Sequence, residues 1–173
     1  TLFLSALTRA LLIIDEDLAD SVLYWLVGSL ENRQWQDVAA LLPWTFMCLL
    51  ASIYLARAFN VLALGDEMAR GLGLSSMRLR LMGGGCAVGL AASATAICGP
   101  IAFVGLMVPH IARKLMGADY RLLVPFSMLL GANLLVVSDT LSHVIAFPYE
   151  TPVGIVTALI GAPFFLLLSK RAN

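Results

Sequence analysis

Long apolar runs alternate with short polar segments along this chain of 173 residues. Residues 38–56 carry no charge. They come close to the roughly 20 residues that a helix needs to cross the hydrocarbon core of a bilayer. Pro43 sits near the start of that run, where a proline is tolerated. Residues 81–112 are uncharged as well. They are too many for one span and too few for two regular ones, which take roughly 40. Gly99-Pro100 breaks that run near its middle and Pro109 breaks it again. Residues 122–141 predict another span, with Pro125 in its first turn. Thr151 as cap and Pro152 as first helical residue open a last helix over 153–169. In it Gly154, Ala158 and Ala162 make a small-residue stripe for tight packing, and Pro163 predicts a kink.

The first 27 residues are less regular. Residues 1–14 are apolar but too short to span, and read as the end of a span. Asp15, Glu16, Asp17 and Asp20 form an acidic patch. Leu18, Val22, Trp25 and Leu26 then recur at helical spacing beside Tyr24. Trp and Tyr favour the membrane interface, so this segment reads as an interfacial helix ending near Gly28. A loop with scattered aromatics is the other reading.

The one long polar segment is residues 60–80. Leu62, Leu64, Met68 and Leu72 stand two to four apart, with Asp66, Glu67 and Arg70 between them. Gly65 and Gly73 can mark the limits of a short amphipathic helix. Such a helix can lie on a membrane or dock on a partner. An ordinary basic loop that orients the protein fits the same residues.

Composition settles the class. The chain is 60% hydrophobic and 13% charged, with mean hydropathy +0.90. Soluble domains carry about 25% charged residues, so an integral membrane protein is implied. Zero net charge argues against a nucleic-acid surface. Cys48, Cys86 and Cys98 lie in apolar runs and read as small packing residues.

Charge also sets orientation. Arg57, Arg70, Arg78 and Arg80 precede residues 81–112; Arg113, Lys114 and Arg121 follow them; Lys170 and Arg171 end the chain. The positive-inside rule puts all three clusters in the cytoplasm. Residues 81–112 must then enter and return, with a shallow turn at Gly99-Pro100 enclosed by protein. Gly83, Gly84, Gly85, Gly89, Ala92 and Ala96 permit close helix contact there. The expected fold is a single all-α, polytopic membrane domain over residues 1–173. It has roughly five spans, the first truncated, plus a cytoplasmic coupling helix and an external interfacial helix.

Few residues offer chemistry. His110 has no second His, Cys or carboxylate at ligand spacing and reads as satisfying a backbone group. Asp139 stands near the external end of its span. An ionisable residue there is a functional candidate, and a carboxylate reaching the surface is the plainer reading. No phosphate-binding loop, zinc spacing or nucleophile elbow occurs. No metal or cofactor site is expected, and no hydrolysis of ATP by the chain itself.

Four motifs add a resemblance. FNVLALGDEMARGLGL (59–74), GPIAFVGLMVPHIARKLMG (99–117), LLVPFSMLLGANLLVVSDTLS (122–142) and ETPVGIVTALIGAPFFLLL (150–168) occur in that order. Together with YWLVGSL (24–30), they resemble the C-terminal part of permeases of the iron-siderophore and vitamin B12 ABC importer family. Phe59 stands where that family often has Leu. The resemblance implies a substrate-conducting subunit in the cytoplasmic membrane, dimeric with a second permease. It implies an ATPase partner that binds ATP and an extracytoplasmic binding protein. The substrate would be an iron chelate, haem or cobalamin. Leu64, Gly65, Asp66, Glu67, Ala69, Arg70, Leu72 and Gly73 would form the ATPase contact. The last helix, with Gly154, Thr157, Ala158 and Gly161, would line the pathway or pack beside it. His143, where the family often has Arg, and Glu150 would meet the binding protein, with a weakened or pH-sensitive charge at His143. Two readings from other classes stay open: a proton-coupled carrier with Asp139 and His110 as relay, and a membrane scaffold without a pathway.

Overall fold

A computed structural model describes residues 22, 24–31, 33–145 and 151–172. The truncated first span, the acidic patch and Glu150 lie outside the described residues. Residues 24–27 are helical, and six helices follow. They are α1 (Trp35–Leu62), α2 (Asp66–Gly71), α3 (Ser76–Cys98), α4 (Val104–Met116), α5 (Tyr120–Ile145) and α6 (Val153–Ala172). No strand occurs among the described residues.

Among the described residues three helices, α1, α3 and α5, are long and apolar enough to cross a bilayer. Their large apolar side chains point outward: Leu42, Trp44 and Phe46 on α1 and Leu129 and Val136 on α5 are all exposed. A protein in water hides such surface. In lipid it is the solvent-facing side, and the interior is left to smaller residues. Helices α1 and α3 run antiparallel and meet at glycines. Gly89 lies against the Cys48 thiol, and Gly83 lies against the Phe59 ring so closely that a Cβ there would overlap it. This is close approach through small residues, the packing that apolar surroundings favour. Gly84 and Gly85 face open space instead, so only part of the expected glycine contact is used.

The prolines depart from the expectations. Helix α1 begins at Trp35, where the Asp37 carboxylate accepts the Gln34 N–H at 2.9 Å. Pro43 therefore sits two turns inside the helix, not at its start. Pro109 does not break the chain again: it lies within α4. Pro125 lies in the second turn of α5, because that helix starts at Tyr120, two residues before the expected Leu122. Each proline forfeits one backbone bond, and each sits where the helix continues regardless.

Residues 99–103 make the turn that the apolar run 81–112 requires. Helix α4 has only 13 residues, about 20 Å, so it cannot span alone. It begins deep in the protein, because Phe103 rests on Gly161, eight residues and about 12 Å into α6. The non-helical backbone between Gly99 and Phe103 is covered by residues 25–28 and by α6. Two ends of the bundle result. One holds Gly28, Gly99 and Gly154. The other holds α2 and the residues around Asp119.

Candidate functional site

The end bearing α2 is built from the end of α1. Ala63, Leu64 and Gly65 donate their N–H groups to the Phe59, Val61 and Leu62 carbonyls at 2.9–3.1 Å. The chain thus leaves α1 in a tight turn. Gly65 then takes φ 116 and ψ 156, a conformation open essentially only to glycine, and starts α2. At the far end Gly73 takes φ 77. Its N–H reaches the Arg70 carbonyl, and the Leu74 N–H reaches that of Ala69. This pair of bonds closes a helix with glycine in the left-handed position. Both glycines that bound the segment in sequence bound it in structure.

Helix α2 turns one residue inward. Ala69 is fully buried, while Leu64, Met68 and Leu72 are 69%, 59% and 67% exposed. Four apart in sequence, with Leu64 just before α2 and Leu72 just after it, these three are an exposed apolar stripe along residues 64–72, with exposed Glu67 and Arg70 beside it. Asp66 is held from α3: its carboxylate accepts from Arg80 at 2.8 and 3.1 Å. An exposed pair of this kind contributes about 0–1 kcal/mol, so its value is in placement more than stability.

A second polar contact ties the same end together. Asn60 donates Nδ2–H to Asp119 Oδ1 at 2.6 Å and accepts the Tyr120 N–H on Oδ1 at 2.8 Å. Asp119 also accepts the Arg121 N–H at 2.9 Å and caps α5. The Arg121 N–H first, and the Asn60 amide second, hold the Asp119 carboxyl below its ordinary pKa. Phe59 packs against Tyr120 with ring centroids 5.8 Å apart and the planes tilted by 37°, and the Arg113 guanidinium lies over the Tyr120 ring at 5.7 Å. The basic residues of 57–80 and those of 113–121 therefore stand at one end of the bundle, as the two-pass reading of residues 81–112 requires. The contribution of Asn60 is invisible in sequence, because its partner is 59 positions away.

At the opposite end three glycines meet. Gly28 has φ 86 and accepts the Gly154 N–H at 2.9 Å, and the Ser29 N–H reaches the Cys98 carbonyl at 3.0 Å. A Cβ on Gly99 would strike the Trp25 carbonyl, and one on Gly154 the Val27 carbonyl. The buried face of α6 is Val153, Gly154, Val156, Thr157 and Gly161. The expected stripe of Gly154, Ala158 and Ala162 is thus turned: Ala158 is half-buried and Ala162 exposed, and both line an open groove with Leu26, Pro100 and Ile155. Thr157 spends its hydroxyl on the Gly154 carbonyl at 3.0 Å.

Asp139 and His143 lie beside this junction, 3.9 Å apart on α5. They line a polar cavity of about 220 Å³ with Ser29, Glu31, Arg33 and Ser142. Arg33 carried no role in the sequence reading, since nothing beside it is periodic. His110 lines a different cavity, of about 170 Å³, among Phe103, Phe164 and Phe165, and its Nε2 finds no partner among the described residues. The expected bond to a backbone group is not made by that nitrogen.

Comparison with known proteins decides the family. A model of the FecCD transport family matches residues 1–171. The chain belongs to the FecCD transport family. It is 46% identical over 172 residues to the Fe(3+)-citrate import system permease protein YfmD of Bacillus subtilis, covering 99% of this chain and 51% of that protein. It is 42% identical over 169 residues to the Fe(3+) dicitrate transport system permease protein FecC of Escherichia coli, covering 98% and 51%. A solved chain described as a metal-chelate type ABC transporter, inward-facing, superposes with a TM-score of 0.83 at 32% identity, over 98% of this chain and 57% of that one. The FecCD chain here spans about half the length of the curated relatives it matches. It is an all-α, multi-pass membrane protein, as the alternation of apolar and polar segments implied.

Proposed function

We propose that this chain is the C-terminal part of the membrane permease of an ATP-driven importer for an iron(III) chelate. The observation that carries the reading is the exposed stripe of Leu64, Met68 and Leu72 along α2 and its two ends. Three large apolar side chains stand exposed on a segment that also carries Asp66, Glu67 and Arg70. The hydrocarbon core would not accept those charges, and water does not favour the stripe. A protein groove accepts both, and an ABC-type ATPase subunit is the partner that the family supplies. The chain itself contributes no hydrolysis. ATP-driven motion of the partner pushes α2, and the spans tilt to open a path beside α6 at the axis shared with a second permease subunit.

The remaining roles follow from position. With α2 cytoplasmic, the C-terminus is cytoplasmic too, and the junction of Gly28, Gly99 and Gly154 faces outward. An extracytoplasmic binding protein would dock there, near His143. Ferric citrate is the first substrate to try, because relatives at 46% and 42% identity are named for it. The carrier reading needs Asp139 and His110 on one path, and they line separate cavities.

The test is uptake of radiolabelled ferric citrate into liposomes holding the full permease, its ATPase and its binding protein. Uptake that requires ATP is expected. Uptake driven by a proton gradient without ATP would overturn the reading in favour of a carrier.

A further inference from the structure

We propose that Asn60 is a positioning residue for coupling, which carries displacement of α2 into α5 through Asp119. The inference rests on α2 being the ATPase contact. The backbone of residues 63–65 is a closed turn bonded to the end of α1, so α2 and that end move together. Two polar contacts lead away from this unit. Asp66–Arg80 leads to α3, and Asn60–Asp119 leads to the junction of α4 and α5. Apolar packing alone is non-directional and lets helices slide, whereas a hydrogen bond loses strength steeply with angle. The second contact is also fixed in polarity. Tyr120 offers only an N–H and the Asp119 carboxylate only acceptors, so one orientation of the Asn60 amide satisfies both. Phe59, wedged between Gly83 and Tyr120, holds the neighbouring backbone against α3 and α5. One push on α2 therefore reaches two arms of the bundle, and Asn60 serves the arm that contains α5.

The experiment compares chelate imported per ATP hydrolysed, in liposomes with the full permease, its ATPase, its binding protein and radiolabelled ferric citrate as the probe. Asn60→Ala removes the contact, and Asn60→Asp sets two carboxylates against each other. In both variants the ratio should fall at least about fivefold, the lower range of coupling between sites, while the ATPase stays bound and hydrolysing. Asn60→Asp combined with Asp119→Asn restores the donor–acceptor pair in reversed order, without the Arg121 N–H that shares Asp119 Oδ1 in the parent, and should recover part of the ratio. A merely structural role would reduce the amount of folded complex, lowering uptake and hydrolysis together at a constant ratio. A constant ratio in either single variant would overturn the proposal, as would a lowered ratio that the exchange leaves unrescued. If Asn60→Ala does not fold, the exchanged pair against Asn60→Asp gives the same reading. Loss of ATP-dependent uptake in the unaltered protein would instead strike the importer reading itself.

Discussion

Phe103 holds a left-handed backbone, φ 65, with its ring lodged against Gly161 of α6. A bulky residue in that conformation is strained by about 1–3 kcal/mol and persists only where its surroundings fix it. Here the fixing element is the notch at Gly161, which a Cβ would fill. The strain sits where the chain re-enters the protein to begin α4.

Gly161→Ala should therefore destabilise the fold by about 1–3 kcal/mol, the usual cost of overpacking. Phe103→Gly removes the colliding Cβ together with the ring, and glycine accepts the left-handed backbone. The two substitutions together should cost less than the sum of their separate effects. Thermal unfolding of the four proteins in detergent measures this; strict additivity would show that the two residues do not share the notch.

A set of glycine substitutions separates backbone contact from open space. Alanine at Gly99 or Gly154 drives a methyl group into the Trp25 or Val27 carbonyl, and neither carbonyl can move without its chain. Losses beyond about 2 kcal/mol are expected, in the range of severe core lesions. Gly84→Ala meets nothing within 4 Å and should stay within about 0.5 kcal/mol of the parent. Equal losses at all three positions would contradict the packing described.

The Asp119 carboxyl supplies a pH prediction. Its pKa is lowered in the folded state, chiefly by the Arg121 N–H and then by Asn60. A carboxyl lowered on folding stabilises the fold above its unfolded value, about 3.9, and that stabilisation is lost as pH falls through the folded value. Unfolding curves of the parent and of Asp119→Asn should keep a constant separation from pH 7 to about pH 5 and converge only in stronger acid. Convergence between pH 7 and 6 would contradict this assignment.

Much of the architecture was legible because lipid imposes simple rules. Length and lack of charge located the spans around 38–56 and 122–141, and the shortage of residues in 81–112 required the enclosed turn at Gly99. Glycines 65 and 73 bounded α2 because only glycine takes those backbone angles readily. Rotational placement was less legible. Small residues fill two faces of α6, so the stripe of Gly154, Ala158 and Ala162 looked as suitable as the line of Gly154, Thr157 and Gly161 within the buried face. Pro109 looked like a break because sequence alone does not reveal a helix held by its neighbours. The bond from Asn60 to Asp119 joins positions 59 apart, and no local pattern announces it.

Orientation has its own test. Ala118 is exposed between Gly117 and Asp119, at the end that carries the basic clusters. Ala118→Cys in a cysteine-free permease should escape a membrane-impermeant thiol reagent in intact cells and react after permeabilisation. Strong labelling from outside would place this end of the bundle on the wrong side of the membrane.

The central claim is that α2 receives the ATPase through its apolar stripe. Met68 stands at the centre of that stripe, 59% exposed, with its side chain free of the helix interior. Met68→Glu should leave the permease folded, since surface changes usually stay within about 0.5 kcal/mol. It should sharply reduce co-purification of the ATPase with the full permease, and abolish uptake of ferric citrate in liposomes. Unchanged ATPase recovery together with unchanged uptake would contradict the claim and leave residues 60–80 as an ordinary basic loop.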